Sequence, residues 1–150
     1  MTKRNVDYQA FMNARNEFHG FIEAVGFKLT AMDYQYAKAE IVLQDMHRNP
    51  IGSTHGGVIY TLADTVGGAC ANTTGVACTT ISGNMNYLSP AMNCERLIGE
   101  ARPIKMGKRL AVVQVVITNE FGKDIAHATM TYQFLPEMPF PFKSALKESE

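Results

Sequence analysis

Asp64 is a lone carboxylate in a stretch that otherwise reads as apolar and small. Residues Asn49 to Thr74 run NPIGSTHGGVIYTLADTVGGACANTT, with no proline after Val58, Gly56 and Gly57 at the head and Gly75 beyond the end. That pattern predicts a helix from about His55 to about Asn72. At about 100° per residue, Val58, Ile59, Leu62, Val66, Ala69 and Cys70 share one apolar arc. Asp64 falls opposite, beside Tyr60, Gly67, Gly68 and Ala71. A solvated helix face carries Lys and Glu, so this second face is expected to be covered by a partner chain, a ligand or both. A carboxylate in such a cleft is ionised at neutral pH and suits a general base or a nucleophile; the alternative is a structural pairing. At the helix head, Gly56 and Gly57 let a ligand approach the backbone, and the free N–H groups there are the donors an oxyanion hole needs.

The remaining elements must hold this helix. Val6 to Ile22 reads as an amphipathic helix with Phe11, Phe18, Phe21 and Ile22 as its packing stripe, His19 lying within it and Gly26 ending it. Phe27 to Met32 and Tyr34 to Gln44 read as strands, the second alternating Ala37, Ala39, Ile41 and Leu43 with Lys38 and Glu40. Asp45 to Thr54 is a loop broken by Pro50 and Gly52, in which Asn49 suits a turn. Val76 to Leu88, Cys94 to Ile104, Leu110 to Asn119 and Lys123 to Leu135 complete the strands, with a hairpin signal at Glu120-Phe121-Gly122. Leu110 to Ile117 is apolar on both faces, and residues 136–150, with Pro139 and Pro141, are expected to lie over the surface or fray. The outcome is one α+β domain over residues 1–150, a sheet wrapped around one helix.

Composition narrows the function classes. A chain of 150 residues, 46% hydrophobic, suits a single core, and 14 basic residues balancing 14 acidic ones give no argument for nucleic acid. Cys70, Cys78 and Cys94 lack metal-site spacing and suit reduced thiols. No run is apolar enough to span a membrane and the first residues lack a secretory apolar core, so a cytoplasmic location is expected, with no membrane partner, metal or cofactor.

The run Asn49-x5-His55-Gly56-Gly57-x4-Leu62-Ala63-Asp64, followed by Tyr87-Leu88-Ser89-Pro90-Ala91, resembles the PaaI-type branch of the hotdog-fold acyl-CoA thioesterases, relatives of hydroxybenzoyl-CoA thioesterase. The similarity extends from about Phe18 to Phe134 and includes the Lys105-Met106-Gly107-Lys108 and Phe121-Gly122-Lys123 turns. The resemblance implies a hotdog fold, in which an antiparallel sheet wraps a long central helix, preceded here by an N-terminal helix. It also implies a homodimer with active sites between subunits, or a homotetramer of two such dimers. By resemblance, Asp64 of the partner subunit activates water or attacks the thioester. The Gly56 N–H polarises its carbonyl, His55 and Asn49 help hold the carbonyl or the water, and Gly57 and Thr80 lie near the reacting centre. Tyr60, Tyr87 and Met85 are candidates for the acyl pocket and equally for plain core. Lys105, Lys108 and Arg109 read as a solvated turn or, by resemblance, as partners for coenzyme A phosphates. Ser89 stands where some relatives carry Arg, which removes one phosphate contact. Aryl, arylacetyl, short-chain and medium-chain acyl groups all remain open, as does acyl carrier protein as the thiol carrier. Alternatives are a hotdog hydratase or dehydratase and a non-catalytic acyl-CoA sensor. A Cys70–His55 nucleophile pair is disfavoured because Cys70 lies on the apolar arc nearly four turns from His55.

Overall fold

The computed structural model describes residues 4–147. The long helix α3 spans Gly56–Asn72, within one residue of the expected bounds, and Ile59, Leu62, Ala63, Val66, Ala69 and Cys70 are buried on it. Six strands wrap it: β1 (Phe27–Asp33), β2 (Tyr36–Val42), β3 (Cys78–Tyr87), β4 (Arg96–Met106), β5 (Leu110–Asn119) and β6 (Asp124–Phe134). They form one antiparallel sheet in the order β1-β2-β4-β5-β6-β3. Alternation drives the burial. On β5, Ala111, Val113, Val115 and Ile117 are buried toward the helix, while Val112 and Val116 stay half-buried on the outer face. Gly99 on β4 admits the helix closely, since a Cβ there would lie 3.2 Å from Leu62 Cγ.

The single amphipathic helix expected over Val6 to Ile22 is instead two. Helix α1 spans Tyr8–Glu17, capped by the Asp7 carboxylate accepting from the Ala10 N–H, and α2 spans Phe21–Val25, ended by Gly26 at φ 100°. Between them Phe18 takes an extended backbone, and Phe18 and Phe21 are 58% and 67% exposed. Their helical spacing holds, but nothing among the described residues faces them. Phe11 alone of that stripe is fully buried.

The expectation for residues 136–150 is also corrected. Phe140 and Ala145 are buried, the rings of Phe11 and Phe142 stand 4.7 Å apart, and Val6 bridges Leu146. Phe140 and Phe142 supply the apolar partners that α1 needs, and that burial outweighs the polar composition of the segment. Residues 1–3 of the N-terminal segment and 148–150 of the tail lie outside the described residues.

The two sheet edges differ. At β1, the Asn16 side chain from α1 donates to the Leu29 carbonyl and accepts from the Leu29 N–H, at 2.9 and 2.8 Å, blunting that edge. At β3, eight of ten residues are exposed and the outer edge has no covering element among the described residues. An open ten-residue edge is a template for pairing with another strand.

His47 anchors the loop that leads into α3. It is 2% exposed; Nδ1 accepts from the Gln44 N–H at 2.9 Å, so Nε2 carries the proton and donates to the Val25 carbonyl at 2.7 Å. Its own carbonyl accepts the His55 N–H. His47→Ala strands two backbone groups and should lower unfolding stability by about 2 to 4 kcal/mol. Urea denaturation at fixed protein concentration measures this, and a loss under about 0.5 kcal/mol would contradict it.

Candidate active site

The head of α3 is closed by its own cap. His55 is the N-cap, with φ −59° and ψ 134°, and its Nδ1 accepts the Gly57 N–H at 2.8 Å. The Val58 N–H goes to the His55 carbonyl. Gly57 is therefore committed, and the Gly56 N–H is the donor of this first turn left without a partner among the described residues. The imidazole caps the helix while its Nε2–H remains open on an exposed side chain. Asn49 folds the preceding loop: its Oδ1 accepts from the Ile51 and Ser53 N–H groups and its amide donates to Ser53 Oγ at 2.9 Å, leaving one amide hydrogen uncommitted. Tyr87, at the end of β3, donates its hydroxyl to the Gly56 carbonyl at 2.9 Å. Asn49, Gly56, Tyr87 and Pro90 line one cleft of about 260 Å³ at this end of the helix.

Asp64 stands two turns further along α3, half-buried, with Oδ1 accepting from Thr80 Oγ1 at 2.7 Å. The Tyr132 hydroxyl lies 2.9 Å from the Asp64 carbonyl and 3.3 Å from Oδ1, and donates to both. Thr80 and Tyr132 are cross-strand partners on β3 and β6, so they face the same side of the sheet and converge on one carboxylate. A bulge at Ile81, between Thr80 and Ser82, resets the alternation so that Gly83, Met85 and Tyr87 also face the helix. Burial and the Asp64 charge push the Tyr132 phenol well above its ordinary value, so it stays a neutral donor. Asp64, Gly68, Asn72, Thr80 and Tyr132 line a second cleft of about 260 Å³, closed on its far side by Phe11, Arg15 and Ile22.

The structure thus brings Asn49, His55, Gly56, Gly57 and Tyr87 together at one end of β3, and Asp64 with Thr80 at the other. Eight residues separate Gly56 from Asp64, a rise of about 12 Å, so one carbonyl cannot touch both within one chain. Tyr60 lies beneath β3, where a Cβ on Gly83 would stand 2.1 Å from its hydroxyl, and belongs to neither cleft. Lys105, Lys108 and Arg109 are exposed at the β4–β5 hairpin. The row Leu110–Gln133–Thr79 places that hairpin at the Asp64 end of the sheet. Sequence reasoning missed Tyr132 and Arg15. Gly67, in the middle of a helix, is the trace of Tyr132, since a Cβ there would sit 2.4 Å from the phenol oxygen.

None of the thiols is poised to attack. Burial pushes Cys70 and Cys78 up to about 12, with Asp64 adding to the effect at Cys78, and Cys94 is raised as well. A group protonated to such a value in the folded state favours folding up to the unfolded thiol range and loses that contribution as pH rises through about 9 to 12. At pH 8 the native protein should react with a disulfide reagent at least about tenfold more slowly than the urea-unfolded chain; equal rates would overturn the assignment.

Comparison with known proteins supplies the family. Residues 51–126 match the thioesterase superfamily model. Human acyl-coenzyme A thioesterase 13 is 30% identical over 141 residues, covering 87% of this chain and 96% of the relative. The fold is shared with the PaaI protein of Escherichia coli, from the phenylacetic acid degradation operon (TM-score 0.78, 23% identity, 87% of this chain and 96% of that one). It is shared too with smu.793 of Streptococcus mutans, a structure bound to acetyl CoA (TM-score 0.73, 27% identity, 80% and 94% covered). With a six-stranded antiparallel sheet wrapped around α3 and a matched segment running from the loop before that helix into β6, the chain has the hotdog fold and belongs to the thioesterase superfamily.

Proposed function

We propose that this protein hydrolyses acyl-CoA thioesters at sites formed between two copies of the chain. The observation that carries the reading is the separation of an open N–H at Gly56 from the hydroxyl-held carboxylate of Asp64, at opposite ends of the uncovered strand β3. Antiparallel pairing of β3 with the same strand of a second copy sets Tyr87 of one chain against Cys78 of the other when the strands are in full register. The Gly56 end of one chain then meets the Asp64 end of its partner, and a two-fold axis makes two such sites.

In each site the thioester oxygen lies against the Gly56 N–H at the positive end of α3, where negative charge develops in the tetrahedral transition state. Nε2–H of His55 and the spare amide hydrogen of Asn49 are the further donors at that end. Asp64 across the interface either takes a proton from water or attacks the carbonyl carbon to give a mixed anhydride that water then opens. Thr80 and Tyr132 hold Oδ1 in both routes, which leaves Oδ2 as the reacting oxygen. Coenzyme A departs as its thiol. The basic hairpin of Lys105, Lys108 and Arg109 sits at the Asp64 end, where it offers charge to the nucleotide phosphates. The names of human acyl-coenzyme A thioesterase 13 and of the acetyl-CoA-bound neighbour support this choice of substrate.

Three substitutions test the chemistry. Gly56→Pro removes the N–H at the first helical position, which accepts proline, and His55 already has the backbone that precedes one. It should lower kcat by about 10² to 10³. Gly56→Ala keeps the N–H and brings a similar Cβ to 3.3 Å from the Tyr87 ring, so it should retain most activity. Asp64→Asn should cost about 10² to 10⁴. Co-refolding Asp64→Asn with Gly56→Pro should restore about a quarter of wild-type turnover, because half of the dimers carry one intact site. No recovery would place both groups in one chain's site and sink the shared-site reading. Light scattering on the same samples reports whether two dimers stack into a tetramer.

A further inference from the structure

The geometry points to Arg15 as a specificity-determining residue that binds an anionic group, a carboxylate above all, at the far end of the acyl chain. The inference rests on the thioester-hydrolase reading of the Asp64 cleft. Arg15, on α1, lines the same cleft as Asp64, half-buried between Phe11 and Ile22. Three arginines outside the cleft find partners in this chain, and Arg109 stands exposed in water at the β4–β5 hairpin. Arg48 donates to the carbonyls of Gly52 and Cys94, Arg96 pairs with Glu40, and Arg102 lies 4.4 Å over the Tyr36 ring. The Arg15 guanidinium has no ion pair and no hydrogen bond among the described residues. Burial pulls it below its ordinary value, and no carboxylate among the described residues offsets the effect. A cation taken partly out of water and left without an acceptor is a cost that an incoming anion removes.

Asn72 adds a second pair of donors. Its Oδ1 accepts the Cys78 thiol at 3.2 Å, while its amide hydrogens have no partner among the described residues. It lies two turns beyond Asp64 on α3, on the side away from Gly56, and lines the cleft with Arg15. Asn72 makes the cleft polar at the end remote from the reacting carboxylate, and Arg15 brings a positive charge to the same cleft. An acyl group entering it places its carbonyl at Asp64 and its far end against Arg15 and Asn72. The repulsion between Asp64 and an anionic tail requires that separation, because a carboxylate close to the carbonyl would meet Asp64 itself.

The phosphates of coenzyme A carry the same anionic chemistry. The volume argues against them here: about 260 Å³ holds a short acyl chain, whereas the phosphates stand beyond a whole pantetheine arm from the sulfur. The exposed basic hairpin lies outside this cleft.

The test compares kcat/KM for glutaryl-CoA and adipyl-CoA with valeryl-CoA and hexanoyl-CoA, pairs that differ by a terminal carboxylate. Wild type should favour one carboxylate-ended member over its methyl-ended partner. Arg15→Gln should lower that ratio by about 10- to 100-fold, the range for a hydrogen bond to a charged group, and Arg15→Lys should keep part of it. An unchanged ratio in Arg15→Gln, with hydrolysis intact, overturns the inference and leaves the thioesterase reading standing. Repeating the series with N-acetylcysteamine thioesters separates the sources. An effect of Arg15→Gln that disappears without the nucleotide assigns Arg15 to the phosphates and overturns the inference; an effect that persists supports the acyl carboxylate. If no thioester is cleaved, the hydrolase reading fails first. Calorimetry of glutaryl-CoA and valeryl-CoA binding then decides Arg15 by the same ratio, equal affinities rejecting it.

Discussion

One carboxylate on a buried helix sets the terms for the surrounding structure. Asp64 lies half-buried on α3 against β3 and β6, and a charge in that position is tolerated only when hydrogen bonds replace the water it loses. Thr80 and Tyr132 supply them, and they do so because the β3–β6 ladder pairs them directly. The phenol reaches Asp64 only because Gly67 has no side chain in its path. The Ile81 bulge then lets the same strand present Thr80 to the carboxylate and Tyr87 to the helix head. A helix glycine, a strand bulge and a buried tyrosine, each mildly unfavourable alone, become mutually consistent once Asp64 is fixed.

What the sequence disclosed follows from how local each signal is. The extent of α3, its glycine punctuation and the outward position of Asp64 come from a single helical period, and α3 matches to within a residue. The strands β4 to β6 were legible because their alternation is long and their turns carry glycine. The expected N-terminal helix failed at Phe18 because helical spacing reports a stripe but not whether anything faces it. The tail failed for the converse reason: Phe140 and Phe142 find Phe11 across most of the chain length, and no local pattern encodes that contact. Tyr132 and Arg15 were invisible in the same way. Each becomes significant through strand register or through the packing of α1 against β1 and the C-terminal segment, which are properties of the assembled fold.

The sheet's two edges differ in what they offer a neighbouring strand. Asn16 uses one side chain to imitate a neighbouring strand at β1, which leaves β3 as the long edge without a cover. The polar outer residues of β3, among them Ser82, Asn84 and Asn86, suit a backbone-paired seam better than an apolar interface would. In the reading advanced above, the oxyanion donors and the carboxylate sit at the two ends of this strand, so the seam that joins the subunits also completes the chemistry.

The segment matched by the family model begins after the loop residue Asn49 and ends inside β6, so it contains Gly56, Asp64, Thr80 and Tyr87 but neither α1 nor the tail. Those flanking pieces hold each other through Phe11, Phe140 and Phe142 and through the Val6–Leu146 bridge, and the N-terminal one forms the outer wall of the Asp64 cleft. The fold therefore holds its two parts together by different contacts. The wrapped helix is intolerant, because every residue near Asp64 has a neighbour that depends on it. The wall is held by its own aromatic cluster, so its side chains can be exchanged in the laboratory without touching the hydrogen bonds that hold Asp64.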